Sequence, residues 1–291
     1  MSADFLQFLF SGITVGATYA LVGLGFSIIY NASHVINFAQ GEFVMLGGMA
    51  TVFFYGAGLP MPLAMAMAVA MTIFIGMALE KFAVEPAKGA SIVTLIIITI
   101  GASIFLRGLA EVLWGRNFHS LPPISGSDPI NIGGALVLPQ SLWVVGGTIV
   151  IVITLAWFFN RTMTGKAMVA SASNPLAARL VGINLKFILL LSFALSAMLG
   201  SIAGILIAPI SLAYPGVGIM LGLKGFCAAI LGGMGNPMGA VLAGLIVGIS
   251  EALTAGYISS AYKDAVAFII ILAVLFLRPN GLFSTGGTER V

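Results

Sequence analysis

Two histidines and one cysteine, Cys227, are all that this 291-residue chain has of the usual metal-binding and thiol side chains. A single thiol allows neither an internal disulfide nor a thiolate metal cluster. Charge is also scarce: Asp, Glu, Lys and Arg make up 7% of the residues, against about 25% in soluble domains. There is no H-E-x-x-H, no G-x-S-x-G and no paired-carboxylate cluster. There is no Walker A either, because Ala167 follows Gly165-Lys166 and Asn160 stands where the motif needs glycine. His34 and His119 fall in loops expected on opposite sides. These absences argue against an enzyme, a bound metal and a cofactor. If the chain takes part in ATP-driven work, another polypeptide must bind the nucleotide. A formal charge of +3 is too small to suggest a nucleic-acid partner.

What the chain has is hydrophobicity, at 60% of residues. Apolar runs such as TLIIITIGASIFL are unbroken, whereas barrel strands alternate apolar with polar residues. The fold class is therefore all-α, a polytopic membrane bundle of about eight or nine transmembrane helices. Spans are expected near Phe5–Ile29, His34–Gly56, Pro62–Val84, Ala90–Leu113, Gln140–Asn160, Phe187–Ala208, Leu212–Gly233, Met238–Gly256 and Ser259–Leu277. Leu212–Gly233 is the weakest, since Pro215 and Lys224 interrupt it. The 37 glycines suggest close helix contacts, because small residues let backbones approach in lipid. Four-residue pairs occur at Gly12/Gly16, Gly200/Gly204, Gly235/Gly239 and Gly244/Gly248. No linker or internal repeat is visible, so residues 1–291 read as one transmembrane domain.

The positive charges order the topology. Arg161–Lys186 carries Arg161, Lys166, Arg179 and Lys186 with no acid, which reads as a cytoplasmic loop. Lys81, Lys88, Arg278 and Arg290 then fall on the same inner side, and the 114–139 loop and the N-terminus fall outside. The first ten residues have Asp4 and no basic residue, unlike a signal peptide. The first span is expected to remain in the mature protein.

Three polar features interrupt the apolar background. Asn31–Glu42 leads into the second span, and Glu42 within hydrocarbon would cost about 2.5–3.5 kcal/mol if charged and unpaired. Asn37, Gln40 and Glu42 either line a polar path or lock the bundle by interhelical hydrogen bonds, and Phe38 reads as packing. Lys224 could pair with Glu42 or Glu251, while Arg107 and Glu251 read as span-end residues that reach toward water. Gly232–Gly239 resembles a phosphate loop only superficially. It reads as a tight turn in which Asn236 caps a helix begun by Pro237.

The most informative segment lies inside the basic loop. Asn174-Pro175 followed by Leu176–Val181 and Gly182 has the residues of a short capped helix. Two turns do not hold together alone in water. Leu176 and Leu180 lie one turn apart, with Arg179 beside them. They suit a partner's groove or the bilayer surface; the plainer alternative is a solvated connector.

The residues also resemble a family. Gly16-Ala-Thr-Tyr-Ala-Leu-Val-Gly-Leu-Gly25, Val35-Ile-Asn-Phe-Ala-Gln-Gly-Glu42, Thr164-Gly-Lys-Ala167, Ala178-Arg-Leu-Val-Gly-Ile-Asn184, Ile230–Ala240 and Leu277–Phe283 together resemble the permeases of branched-chain amino-acid ABC importers, the Liv-type H subunit. The likeness runs in order over nearly the whole chain. Gln40 stands where relatives often have histidine. The resemblance implies an ABC-importer permease in a bacterial inner membrane. It also implies a second related permease, two cytoplasmic ATP-binding subunits and a periplasmic binding protein. Asn174, Pro175, Leu176, Arg179, Leu180 and Gly182 would form the helix coupling to an ATPase. Substrate choice would rest with the binding protein, since similar permeases carry urea, amides or aromatic acids.

Overall fold

Long apolar stretches terminated by proline, glycine and asparagine form a bundle of eleven α-helices among the described residues, 3–87 and 89–283, of the computed structural model. Lys88 and Arg290, assigned above to the inner side, lie outside those residues. The helices are α1 (Ala3–Ser33), α2 (Gln40–Gly56), α3 (Met61–Leu79, continued by a π-helical turn at Glu80–Val84), α4 (Ile92–Trp114), α5 (Pro139–Arg161), α6 (Met163–Ser173), α7 (Pro175–Leu180), α8 (Leu185–Ser211), α9 (Val217–Gly232), α10 (Pro237–Tyr257) and α11 (Lys263–Leu277). A two-stranded antiparallel hairpin, β1 (Ile130–Ile132) and β2 (Ala135–Val137), sits in the loop between α4 and α5.

Seven helical segments among the described residues are long and apolar enough to cross a membrane. α2 and α9 are shorter, at 17 and 16 residues. At 1.5 Å per residue they reach about 24–26 Å, short of a hydrocarbon core of about 30 Å. Non-helical stretches at 34–39 and 212–216 precede them. The weak span at Leu212–Gly233 is thus a broken one: its first residues are non-helical, and Ala213 exchanges backbone hydrogen bonds with His119 at 2.8 Å.

Local chemistry sets the helix starts. Ser91, Thr162, Asn174, Asn184 and Asn236 each accept a hydrogen bond from the first turn of the helix they precede, and proline stands at N1 of α5, α7 and α10. The turn before α10 forms as read, with Asn236 Oδ1 accepting from Gly239 N at 3.0 Å.

Glycine sets the packing. Gly12 and Gly16 of α1 lie against Gly244 and Gly248 of α10 so closely that a Cβ at Gly16 would sit 2.9 Å from Gly244 O. Gly200 and Gly204 of α8 take α2 at Phe43 and Val44 in the same way. The fourth pair behaves differently. Gly235 is a turn residue at φ +87° and Gly239 packs on Gly232, so that spacing serves a turn and not a helix crossing.

The contacts reveal an internal repeat that the sequence hides. α1 and α8 run antiparallel, with Gly25 beside Ser196 and Ile29 beside Leu189 and Phe193. Each is the long first helix of a long–short–long–peripheral set, α1–α4 and α8–α11. α1 packs on α9 and α10; α8 packs on α2 and α3; α2 meets α9 near the centre. The two sets are therefore related by inversion, the arrangement in which transporters build sites at the repeat interface. Residue 8 and residue 283 lie at opposite ends of the bundle. Phe8 packs edge-on against Tyr257 at one end, while Phe283 O accepts from Asn236 at the other, where Asn31 donates to Gly235 O.

Candidate functional site

α2 starts deep in the bundle. Gln40 lies beside Gly25 of α1, eight residues before the end of that helix at Ser33, or about 12 Å along its axis. The stretch 34–39 covers that distance as non-helical chain. It is held by α4, where the Phe38 amide donates to Thr99 Oγ1 at 3.2 Å. Phe38 itself packs on Phe226 with ring centroids 5.5 Å apart, in keeping with a packing role.

The three polar residues of this region point in different directions. Gln40 is buried and donates to Ser196 O at 3.2 Å, and the single proton of the Ser196 hydroxyl is shared between Gln40 Oε1 and Gly25 O, the latter at 2.9 Å. Both ends of its amide therefore tie α2 to Ser196 of α8, whose hydroxyl in turn lies against Gly25 O of α1. Asn37 Oδ1 accepts from Ala39 N at 3.1 Å, while its Nδ2 is buried without a partner among the described residues. Glu42 is 2% exposed. Its Oε1 accepts from Ser103 Oγ at 2.8 Å, and its Oε2 has no partner among the described residues. That oxygen faces Gly218 of α9, 3.2 Å from where a Cβ would stand.

α4 contributes two polar residues not singled out in the sequence, Thr99 and Ser103. Thr99, Ser103 and Arg107 are spaced by four and share one helix face. Thr99 holds the 36–38 segment and Ser103 holds Glu42. Arg107 lies one turn further along that face and is half-buried. The spacing was visible in the sequence, but nothing there said which helix it faced.

Lys224 pairs with Glu251, not Glu42. Its Nζ lies 2.5 Å from Glu251 Oε1 and 2.6 Å from Asp264 Oδ1. Tyr19 donates to the other Glu251 oxygen at 2.8 Å. Glu251 is buried within α10, so its reading as a snorkelling residue is overturned by this network of α1, α9, α10 and α11. Asp264 and Tyr19 were not among the candidate partners in the sequence, because nothing local links two separate spans.

At the end shared by α6 and α7, the short helix forms as read. Asn174 Oδ1 accepts from Ala177 N at 3.0 Å, Pro175 occupies N1, and Gly182 takes φ +90° past the C-terminus. Helical residues are Pro175–Leu180. Leu176 and Leu180 are 70% and 82% exposed, and Arg179 is exposed, while Ala178 alone is buried. Unlike Asn174, which caps the helix, these side chains have no covering surface within the described chain.

One ion-pair strap joins this end to the α3–α4 connection. Glu85 accepts from Lys81 at 2.8 Å and pairs with Lys186, the second residue of α8, at 2.9 Å. Hydrogen bonds from Lys81 and then Lys186 pull its carboxyl down to a pKa of about 2. A carboxyl depressed on folding adds stability above its unfolded pKa near 4.3 and loses it as pH falls toward the folded value. Hydrogen-exchange protection at 184–187, corrected for intrinsic rates, is therefore expected to stay constant from neutrality to about pH 5. Below that it should decline, and Glu85→Gln should lower it above about pH 5, with the difference shrinking as pH falls toward about 2.

The family described as the permease component of branched-chain amino-acid transport systems matches residues 8–275. The chain is 32% identical over 310 residues to the high-affinity branched-chain amino acid transport system permease protein LivH of Escherichia coli, covering all of both chains. It is also 32% identical over 301 residues to the corresponding protein BraD of Pseudomonas aeruginosa, covering 99% of this chain and 98% of that one. Among solved structures, PsaBC from Streptococcus pneumoniae in complex with Fab has a similar fold, with a TM-score of 0.52 and 15% identity over 95% of this chain and 92% of that one.

Proposed function

The chain belongs to the family of permease components of branched-chain amino-acid transport systems, and from that premise we propose that it imports leucine-type amino acids as one permease of an ATP-driven complex. The observation that carries the cargo is 32% identity, over essentially the full length, to relatives named for that transport. The complex would contain a second related permease, two cytoplasmic ATP-binding subunits and a periplasmic binding protein, in a bacterial inner membrane. The N-terminus would face the periplasm and residue 283 the cytoplasm, as the basic residues around α7 argue.

In this reading α7 couples the permease to an ATP-binding subunit. Asn174, Pro175 and Gly182 shape the helix, and Leu176, Arg179 and Leu180 enter the partner's groove. Support comes from two exposed leucines one turn apart on a capped helix, an arrangement a solvated connector does not need. ATP binding would close the ATP-binding subunits and move α7, and the bundle would open first to one side and then to the other. Asn37, Gln40 and Glu42 at the start of α2 would lie along the route, with Gln40 also bracing α2 on α8.

Purification of the chain from its native membrane in mild detergent tests this reading. Two ATP-binding subunits and a related permease should co-elute, and elution alone or with copies of itself would refute it. Arg179→Glu and Leu180→Asp should leave the protein inserted but reduce recovery of the ATP-binding subunits about tenfold or more. Unchanged assembly and uptake in both variants would remove the coupling role from α7.

A further inference from the structure

α2 and α9 are the two interrupted members of the inverted sets, and they meet at their first turns. Gly41 faces Gly218 and Gly222, with backbone so close that neither side admits a Cβ. Neither helix has a side-chain cap at its N-terminus. Two uncapped helix starts therefore converge at membrane depth, each presenting the positive end of its dipole. Between them lies Glu42, whose Oε2 is buried, has no partner among the described residues and faces Gly218. Asn37 adds an unpartnered buried Nδ2 in the segment that leads into α2. A bundle stabilised for its own sake would have satisfied these atoms, since unpaired buried polar groups cost about 1–3 kcal/mol each.

We propose that this crossing recognises the α-amino-acid zwitterion in transit. When α9 withdraws from α2, the Glu42 Oε2 accepts hydrogen bonds from the ammonium group. The substrate carboxylate lies against the uncapped starts of α2 and α9, as anions do at half-helix N-termini. Ser103 keeps the other Glu42 oxygen occupied, so one oxygen stays free for the substrate. Gly41 and Gly218 let the helices close after passage. The site takes solutes with both charges and gives no advantage to urea or simple amides. The inference rests on the reading that the start of α2 lines the route.

The test uses the assembled importer in nanodiscs without its binding protein. Saturation-transfer NMR, which detects millimolar binding, is recorded for L-leucine and for 2-hydroxy-4-methylpentanoate, which lacks the ammonium. Each is measured with and without a non-hydrolysable ATP analogue. L-leucine should give the stronger signal in at least one nucleotide state. Glu42→Gln should reduce that signal to the level of the hydroxy acid and leave the hydroxy acid unchanged, with Glu42→Asp restoring part of it. Uptake into proteoliposomes with the binding protein added should fall about tenfold in Glu42→Gln, at unchanged subunit stoichiometry. No leucine signal in the unmodified importer, or an equal loss for both solutes, overturns the proposal. If uptake falls but the leucine signal persists, Glu42 belongs to the route without reading the ammonium. Unchanged uptake removes Glu42 from the route as well.

Discussion

Lys224→Met is expected to lower the stability of the folded bundle by about 3–5 kcal/mol, the usual consequence of removing one partner from a buried ion pair. Lys224 is flanked by Glu251 and Asp264 at 2.5 and 2.6 Å, and Tyr19 binds the far side of Glu251. Without the ammonium, two carboxylates face each other across a site whose Glu251 is buried. Glu251 must then stay charged and unpaired or take up a proton, and both are costly. Asp264 is less affected, because its side chain is 40% exposed and turns to water. The double variant Lys224→Met/Glu251→Gln should therefore recover most of the loss, since it removes both charges that lack water. Equilibrium unfolding in mixed micelles of the single and double variants measures both effects. A single variant as stable as the unmodified protein would mean that the cluster does not hold α9 to α10 and α11.

Gly248→Val should disrupt the bundle outright. The atoms around Gly248 are backbone, with Gly12 O 2.6 Å from a Cβ and the Gly16 backbone closer still. Side chains could turn aside, but α1 and α10 would have to separate along their whole crossing. Overpacking usually costs about 1–3 kcal/mol when side chains can adjust, and here they cannot, so the cost exceeds that range. Gly101→Ala and Gly146→Ala are the matched controls. Both positions are helical with nothing near a new Cβ, and Ala is the better helix former by about 1 kcal/mol. Yield of monodisperse protein after detergent extraction should collapse for Gly248→Val and hold for the two controls. Equal yields would show that the α1–α10 crossing tolerates separation.

The short helix α7 illustrates how far local chemistry reaches. Asn174, Pro175 and Gly182 lie within nine positions of one another, and their hydrogen bonds and φ values involve only neighbours, so the sequence pattern and the observed helix agree. The same holds for the turn at Gly235-Asn236-Pro237. Glu42 was legible as a polar residue at membrane depth, but Ser103 and Gly218 beside it were not. Lys224 had two candidate partners in sequence and has two in the fold, one of which, Asp264, was not among the candidates. Gly235/Gly239 had the spacing of a helix contact and serves a turn, because spacing does not report where a helix begins.

The sequence by itself determined the all-α membrane class, the approximate spans, the caps and the family. Those features follow from composition and from interactions within a few residues. Only the tertiary structure decided which charges meet, which glycines touch and that α2 and α9 cross at their first turns. Every apolar span offers lipid and protein nearly the same surface, so hydrophobicity specifies insertion and leaves the choice of neighbour open. That choice falls to close backbone approach and to the few polar groups that must find partners away from water.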